Sequence, residues 1–84
     1  MIQITIYDLL PLLKKGWVCM DRDGTWKWFS HKPHKIKPFV YGEETYWECY
    51  YPKCEGSFLK HFNIAPFDGD WKDSLIKVEH KEEQ

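Results

Sequence analysis

Residues 17–30 read WVCMDRDGTWKWFS, and they carry the clearest structural pattern in the chain. Asp23-Gly24 is a dipeptide typical of two-residue hairpin turns. It lies between two runs rich in aromatic and β-branched residues, which favour strands. The pattern predicts a β-hairpin with strands at Trp17–Asp21 and Thr25–Ser30.

Side chains of the return strand should alternate between the two faces of the sheet. Trp26 and Trp28 should share one face, and Lys27 and Phe29 the other. No acid, base or nucleophile on the hairpin has a partner at a useful spacing. We therefore expect its tryptophans to serve either the core or a ligand site.

A short helix should precede the hairpin, in the segment DLLPLLKKG of residues 8–16. Asp8 is the preferred N-cap, because it places Pro11 at the third helical position, where the amide has no intrahelical acceptor. With Thr5 as the cap, Pro11 would fall in the second turn and disturb it. Gly16 suits the left-handed stop position. The apolar face of the helix would consist of Leu9, Leu10, Leu12 and Leu13.

Alternation and turn residues predict the remaining strands of the N-terminal and middle parts. Ile2–Ile6 predicts a short N-terminal strand. A basic loop is predicted at His31–Pro38, which contains two prolines. A second hairpin is predicted from Phe39–Tyr41 and Thr45–Tyr51, on either side of a turn at residues 42–44.

The C-terminal part predicts a strand at Ser57–Ile64, a helical turn at Trp71–Ser74 capped by Asp70, and a last strand at Leu75–Glu79. The predicted fold class is α+β, with one short N-terminal helix packed on a mostly antiparallel sheet of about five short strands. Residues 1–84 should form a single domain, with a frayed polar tail at residues 79–84.

Charge and hydropathy argue against several classes of protein. The net charge is −1 with neutral histidines, whereas a general nucleic-acid-binding protein needs a basic excess. No apolar run approaches the roughly 18 residues of a membrane span, and residues 1–13 lack the basic start of a signal peptide. We therefore expect a cytoplasmic protein with no membrane partner, whose three cysteines are reduced thiols.

Aromatic residues are frequent, with five each of Trp, Tyr and Phe in 84 residues. A domain of this size has a thin core, and each ring can bury on the order of 150–250 Å². Some rings should therefore stay partly exposed or lie at an interface with a ligand or another subunit. This surplus of rings predicts a homo-oligomer.

Metal and catalytic sites find little support in the residue spacing. His31, His34, Cys49 and Cys54 have side chains that tetrahedral zinc accepts, but they also fit a basic loop and a half-buried strand without metal. The carboxylates of FDGDWKD, residues 67–73, suit Mg²⁺ or Ca²⁺, yet a turn and a helix cap explain them better. We expect no enzyme and no resident cofactor, with a small structural zinc module as an alternative.

A binding site is predicted where aromatic and basic residues adjoin. The aromatic members lie on predicted strands and are Trp26, Trp28, Tyr41 and Trp47. The basic members lie in the loop after the first hairpin and are His31, Lys32, His34 and Lys35. A stacked ring contributes roughly 1–3 kcal/mol to binding a base, and lysine or histidine can hold a phosphate, so the set suits a nucleotide-like small molecule. Protein-binding hot spots share this composition, and for any single ring the core remains the simpler interpretation.

Two stretches of the chain resemble a group of small phage and prophage proteins. They read LLPLLKKGWVCMDRDGTWKWFSHKP, residues 9–33, and FNIAPFDGDWKDSLIKV, residues 62–78. The shared features include a short N-terminal helix, a Gly-Trp-Val step, an Asp-x-x-Gly turn and a Trp-x-Trp strand. The resemblance covers about half the chain and implies a phage origin, while the group itself has no established activity.

A more distant similarity runs to phage anti-defence sponges, including anti-Thoeris sponges and proteins of the sequestin and lockin type. Their outline of a helix ending in Lys/Gly, a Gly-Trp strand and a late Trp is matched by Lys14, Lys15, Gly16, Trp17 and Trp71. Val18-Cys19-Met20 stands where the anti-Thoeris kind commonly has Asn-Gly-Lys.

The similarity to the sponges implies a homo-oligomer that sequesters a nucleotide-derived signal of host immunity in the host bacterial cytoplasm. In such proteins the ligand pockets lie at subunit interfaces. The alternative function is a protein–protein inhibitor of a host defence enzyme, with a role like that of an anti-CRISPR.

Overall fold

The computed structural model describes residues 3–37 and 42–79. Its helical elements are α1 at Ile6–Leu9, a 3-10 helix at Leu10–Leu12 that continues α1, and a second 3-10 helix at Trp71–Asp73. Its strands are β1 Gly16–Met20, β2 Trp26–Phe29, β3 His34–Ile36, β4 Tyr46–Glu48, β5 Gly56–Phe58 and β6 Ile76–Val78. The fold is α+β, as the sequence predicts.

The predicted first hairpin is confirmed. β1 and β2 pair antiparallel, with Met20 opposite Trp26. Gly24 has a φ of 93°, in the left-handed region that glycine adopts without steric cost. The Gly24 N–H donates to the Asp21 carbonyl at 2.9 Å, and the Asp21 N–H donates to the Thr25 carbonyl at 2.9 Å. The Asp23-Gly24 turn therefore predicts this hairpin correctly.

The strands form two antiparallel sheets rather than one. Four strands lie in the order β5-β2-β1-β6, and β3 pairs with β4 in a separate sheet. The predicted partner of the β4 segment, Phe39–Tyr41, lies outside the described residues. In the structure, the partner of β4 is instead His34–Ile36. The middle of the predicted loop at His31–Pro38 is therefore a strand, and this part of the prediction is wrong. The pairing sets Lys35 opposite Trp47 with its Nζ 5.8 Å from the ring centroid, and this contact favours a strand where the charges suggest a loop.

One face of the four-stranded sheet, which we call the helix face, packs against the N-terminal segment. Ile6 and Leu9 of α1 pack onto it, and each is only 2% exposed. The buried core of this face consists of Ile6, Leu9, Val18, Met20, Trp26 and Val78. Burying an aliphatic side chain of this size contributes about 1.5–3 kcal/mol, so each of these residues stabilises the fold.

The opposite face, which we call the disulfide face, lies against the β3–β4 sheet. Its buried cluster consists of Cys19, Phe29 and Trp47. The cysteines Cys49 and Cys54 pack against this cluster. Because Phe29 belongs here while Trp26 belongs to the helix face, β2 alternates as the sequence predicts.

α1 begins earlier than predicted, because Thr5 and not Asp8 is its N-cap. The Asp8 N–H donates to Thr5 Oγ1 at 3.3 Å, and the Thr5 N–H donates to Asp8 Oδ2 at 2.9 Å. This reciprocal arrangement is a capping box. Pro11 lies in the 3-10 helix Leu10–Leu12, so the chain leaves the α conformation where a proline would disturb it.

The predicted helical turn near the C-terminus is confirmed. The Lys72 N–H donates to Asp70 Oδ1 at 3.0 Å, which caps the 3-10 helix. Ser74 follows this helix and is fully buried. Its Oγ accepts from the Met20 N–H at 2.8 Å and thereby ties the C-terminal segment to β1.

The outer strands are shorter than predicted. In place of the strand at Ile2–Ile6, the described residues form an isolated parallel bridge between Ile4 and Ile64. Of the segment Ser57–Ile64, only the part within β5 is a strand. Most of the predicted frayed tail, residues 80–84, lies outside the described residues.

Candidate functional site

The structure does not gather the predicted ligand-binding residues into one site. Trp26 is 4% exposed in the helix-face core, and its Nε1–H donates to the Ala65 carbonyl at 3.2 Å. Trp28 is half-buried against the same core, and its Nε1–H donates to the Lys14 carbonyl at 3.0 Å. Both indoles thus contribute to the fold on the face away from the β3–β4 sheet.

Trp47 lies in the buried cluster of the disulfide face and is 4% exposed. Its backbone N–H donates to Asp21 Oδ1 at 2.9 Å, and its Nε1–H donates to the Met20 carbonyl at 3.1 Å. Its ring meets Trp71 edge-on, with centroids 6.2 Å apart. The structure therefore places Trp47 between the two sheets. Tyr41, the fourth aromatic member of the predicted set, lies outside the described residues.

Three of the four predicted basic residues have separate neighbours. His31 stacks on Tyr51, with ring centroids 4.4 Å apart. Lys35 lies over Trp47, and His34 is exposed on β3. None of these three side chains lines the cavities of about 200 and 320 Å³ on the disulfide face.

Lys32, the fourth basic residue, belongs to an open aromatic and basic surface that we call the Trp17 site. Its Nζ lies 5.7 Å from the ring centroid of the half-buried Trp17, and Lys77 Nζ lies 5.7 Å from the same ring. The ring borders a cavity of about 320 Å³, whose lining includes Lys15 and Ser30. The Trp17 ring and the ammonium groups of the neighbouring lysines therefore lie at or beside the same cavity.

The pairing of β1 with β2 and β6 brings the residues of the Trp17 site together. Trp17 lies opposite Phe29 of β2 and opposite Lys77 of β6, and side chains of directly paired residues share one face of a sheet. Gly16 leaves no room for a side chain, because an added Cβ would lie 2.8 Å from Trp28 Nε1. This close packing fixes the start of β1 and thereby the position of the Trp17 indole.

Backbone contacts also hold the loop that carries Lys32. The Ser30 N–H donates to the Glu55 carbonyl at 2.8 Å, and the Glu55 N–H donates to Ser30 Oγ at 2.8 Å. Pro33, on the other side of Lys32, is fully buried. Lys32 therefore extends from a short segment that is anchored at both ends.

The Trp17 site is electropositive. Lys15 and Lys77 line the cavity, and Lys32 lies beside the Trp17 ring that borders it. The Glu79 carboxylate, which also lines the cavity, lies 3.8 Å from Lys77 Nζ. The lysine charges outnumber the acidic one, so the cavity suits an anion that also carries a ring. Such a ligand is held by stacking and by charge together.

Sequence reasoning missed Trp17 and Lys77 as members of a site. Trp17 and Lys15 are among the residues on which the expected resemblance to anti-defence sponges rests, and this expectation, which no comparison supports, is the available signal for them. Lys77 has no comparable signal, because its neighbourhood depends on the pairing of β1 with β6, two strands far apart in the sequence.

Cys49 and Cys54 form a disulfide, with their Cα atoms 6.3 Å apart. The expectation that all cysteines are reduced is therefore wrong for this pair, because the turn between them brings the sulfurs together. Cys19 is free and fully buried, and burial raises the pKa of its thiol.

Zinc binding by Cys49 and Cys54 would require the disulfide between them to open. Among residues 3–37 and 42–79, no three His, Cys, Asp or Glu side chains are grouped to hold a metal.

A buried ion pair lies on the disulfide face. Lys27 Nζ lies 3.0 Å from Asp21 Oδ2 and donates to the Trp47 carbonyl at 2.8 Å. Burial raises the pKa of the Asp21 carboxyl, while the hydrogen bonds from the Trp47 N–H and the Lys27 ammonium act against this rise. The ammonium is also within 5.8 Å of the ring centroids of Phe29, Tyr46 and Phe58. These contacts join the two sheets, so the pair has a structural role.

The chain matches no protein-family model, and no curated protein and no solved structure is significantly similar to it. No helix within the described ranges is long and apolar enough to cross a membrane. The chemistry of the Trp17 site is therefore the basis on which a function can be proposed.

Proposed function

We propose that the chain is a phage-encoded anti-defence protein that sequesters a nucleotide-derived immune signalling molecule at the Trp17 site. The observation that carries the proposal is the half-buried Trp17 indole, with the ammonium groups of Lys32 and Lys77 each 5.7 Å from its centroid, beside a cavity of about 320 Å³. The phage origin and the biological role rest on the resemblances given above. The protein acts by holding its ligand in the host cytoplasm, without a cofactor and without altering the ligand chemically.

The two parts of such a ligand are recognised by different groups. A base stacked on an indole contributes roughly 1–3 kcal/mol, and lysine ammonium groups hold phosphates as point charges. The cation–π contacts that Lys32 and Lys77 make with Trp17 are worth only about 0.5–1 kcal/mol at an exposed site. Either ammonium can therefore leave the ring and bind a phosphate at small cost.

A homo-oligomer would complete this site. β6, which carries Lys77, is an edge strand of its sheet, and the cavity is lined on that side by Val78 and Glu79. Large apolar side chains are exposed on the described surface, namely Tyr7, Leu12, Tyr50, Tyr51, Phe58 and Phe62. We propose that a second subunit pairs with the β6 edge, encloses the ligand and covers some of these side chains.

A thermal-shift screen followed by calorimetry tests the proposal. The panel comprises cyclic dinucleotides, cyclic trinucleotides and cyclic ADP-ribose isomers. Adenosine serves as a ring-only control, and inorganic tripolyphosphate serves as a charge-only control. A ligand at about 100 times its Kd should stabilise the fold by about 2.7 kcal/mol. The proposal is wrong if no panel member raises the melting temperature at saturating concentration.

Matched variants distinguish ligand binding at the Trp17 site from unspecific attraction of the ligand to the protein. Trp17→Ala should weaken binding by about 1–3 kcal/mol, because the stacking surface is lost, and Lys32→Ala should weaken binding of every phosphate-bearing ligand. Lys60→Ala and Lys72→Ala are the controls, because both side chains are exposed and neither lines the cavity. The two controls should bind as the wild type does.

Inhibition of a host defence enzyme by direct contact is the second candidate function. It is favoured by a group of aromatic rings on the disulfide face, in which Tyr46 and the exposed Phe58 both lie within 5.5 Å of Lys27 Nζ, with the exposed Tyr50 near Tyr46. Exposed aromatic residues are enriched in binding hot spots. A Tyr50→Ala, Phe58→Ala double variant that loses anti-defence activity, beside a Trp17→Ala variant that keeps it, would favour this candidate over the first.

A further inference from the structure

The disulfide between Cys49 and Cys54 closes a loop whose intervening residues, Tyr50 to Lys53, are all exposed. The Cys54 N–H donates to the Tyr51 carbonyl at 2.9 Å, which forms a tight turn. Both cysteines line a cavity of about 200 Å³ on the disulfide face. A small thiol can therefore reach the bond without unfolding of the sheet.

This loop contacts the segment Ser30–Lys32 at several points. The Tyr51 ring stacks on His31 at a centroid distance of 4.4 Å. Cys54 Sγ lies 3.9 Å from the His31 carbonyl oxygen. Directly after Cys54, the backbone of Glu55 exchanges two hydrogen bonds of 2.8 Å with Ser30. The position of the segment therefore depends on the closed loop.

The same segment also forms part of the Trp17 site. Ser30 lines the cavity beside the Trp17 indole, and the Lys32 ammonium lies 5.7 Å from that ring. Three consecutive residues, 30–32, thus join the disulfide loop on one side to the proposed ligand site on the other.

We infer that Cys49–Cys54 is a site of thiol–disulfide exchange with low-molecular-weight thiols of the glutathione class, and that its redox state controls the position of Ser30–Lys32 and thereby ligand binding. The binding part of this inference rests on the proposed function. Oxidised protein holds Lys32 beside Trp17, whereas reduced protein releases the loop, the Tyr51–His31 stack and the segment that follows.

The exchange proceeds in two balanced steps. The thiolate of one small thiol attacks Cys54 Sγ, the Cys49–Cys54 bond breaks, and Cys49 leaves as a thiolate that takes a proton from water. A second small thiolate attacks the sulfur of the first one in the mixed disulfide, and Cys54 leaves and is protonated. Two small thiols are oxidised to one small disulfide, and the protein disulfide is reduced to two thiols.

The first arm of the test needs no ligand. Oxidised protein is incubated with reduced glutathione and alkylated in the native state, and the modified cysteines are identified by mass spectrometry. Cys49 and Cys54 should be alkylated, whereas the buried Cys19 should not. NMR signals of the His31 ring and of the Lys32 amide should move on reduction. A Cys49→Ser, Cys54→Ser double variant should give the reduced positions under both conditions, and a Cys19→Ser variant should respond as the wild type does.

The second arm measures the Kd of adenosine 5′-diphosphate, which combines a ring with two phosphates, for oxidised and reduced protein. Reduction should weaken binding by about fivefold or more, the lower end of typical coupling between sites. Unreactive Cys49 and Cys54, unmoved His31 and Lys32 signals, or equal Kd values in the two states would each overturn the inference. If the signals move and no nucleotide binds in either state, the proposed function fails while the redox control of the segment stands.

Discussion

The two faces of the four-stranded sheet are stabilised in different ways. The helix face holds an apolar core in which Leu9 and Val18 are almost fully buried. The disulfide face combines a small apolar cluster with the Asp21–Lys27 ion pair and a disulfide. Cavities border both faces. On the disulfide face they adjoin the disulfide and a group of lysines, and for this reason we propose both binding and redox control there.

The largest effect that separates the faces should come from Lys27→Met. This change leaves the Asp21 carboxylate buried without its ammonium partner, and breaking a buried ion pair in this way costs about 3–5 kcal/mol. The free energy of unfolding in urea measures the loss. The double variant Asp21→Asn, Lys27→Met should recover most of it, because no unpaired charge remains. A single variant as stable as the wild type would show that the ion pair does not join the two sheets.

On the helix face, Leu9→Ala should destabilise the protein by about 2–5 kcal/mol, because it removes a buried side chain and leaves a cavity. No second substitution of a polar partner can restore this loss, in contrast to Lys27→Met. Leu12→Ala is the control, since Leu12 is 78% exposed and its removal should change stability by less than about 0.5 kcal/mol. Equal effects of Leu9→Ala and Leu12→Ala would contradict the placement of the core.

A smaller effect is expected from Ser74→Ala, at the link between the C-terminal segment and β1. The variant leaves the buried Met20 N–H without its acceptor, which costs about 1–3 kcal/mol. Ser57→Ala, at an exposed position on β5, should leave the midpoint of urea unfolding unchanged. If both variants unfold at the wild-type midpoint, the Ser74 hydrogen bond contributes nothing to stability.

The smallest effect is a pH dependence that belongs to the disulfide face. Burial raises the pKa of Asp21 above its ordinary value near 3.8, so the folded protein binds this proton more tightly than the unfolded chain. The resulting stability is present below about pH 3.8 and is lost as the pH rises through the folded-state pKa. Urea unfolding across this window should therefore show the wild type losing stability relative to Asp21→Asn as the pH rises. A difference that is constant or of opposite slope would contradict the assigned direction.

Features written in adjacent residues were predictable from the sequence. The Asp23-Gly24 turn gave the first hairpin, and Asp70 gave the cap of the C-terminal 3-10 helix. The prediction of Asp8 as the N-cap of α1 is wrong, because it depends on the position of Pro11 and overlooks the Thr5–Asp8 capping box. The chain satisfies both residues by changing from an α-helix to a 3-10 helix.

Features that depend on contacts distant in sequence were not predictable. The pairing of β1 with β6 places Lys77 beside Trp17. In the sequence, Asp21 and Lys27 look like surface charges of a turn and a strand. The packing of the two sheets against each other makes them a buried ion pair. The predicted set of ligand-binding residues includes buried side chains, because alternation alone does not tell which face of a sheet is covered. Trp26 and Trp28 proved to lie on the face that α1 covers.

The indole N–H signals of an NMR spectrum test the location of binding most directly. Trp26, Trp28 and Trp47 donate their Nε1–H groups to backbone carbonyls within the fold, whereas the Trp17 ring lies within 5.7 Å of Lys32 Nζ and Lys77 Nζ at the proposed ligand site. On titration with the panel nucleotide that gives the largest thermal shift, the Trp17 signal, assigned with a Trp17→Phe variant, should move first and furthest. Movement of the Trp26, Trp28 or Trp47 signal while that of Trp17 stays fixed would contradict the placement of the ligand at the Trp17 site.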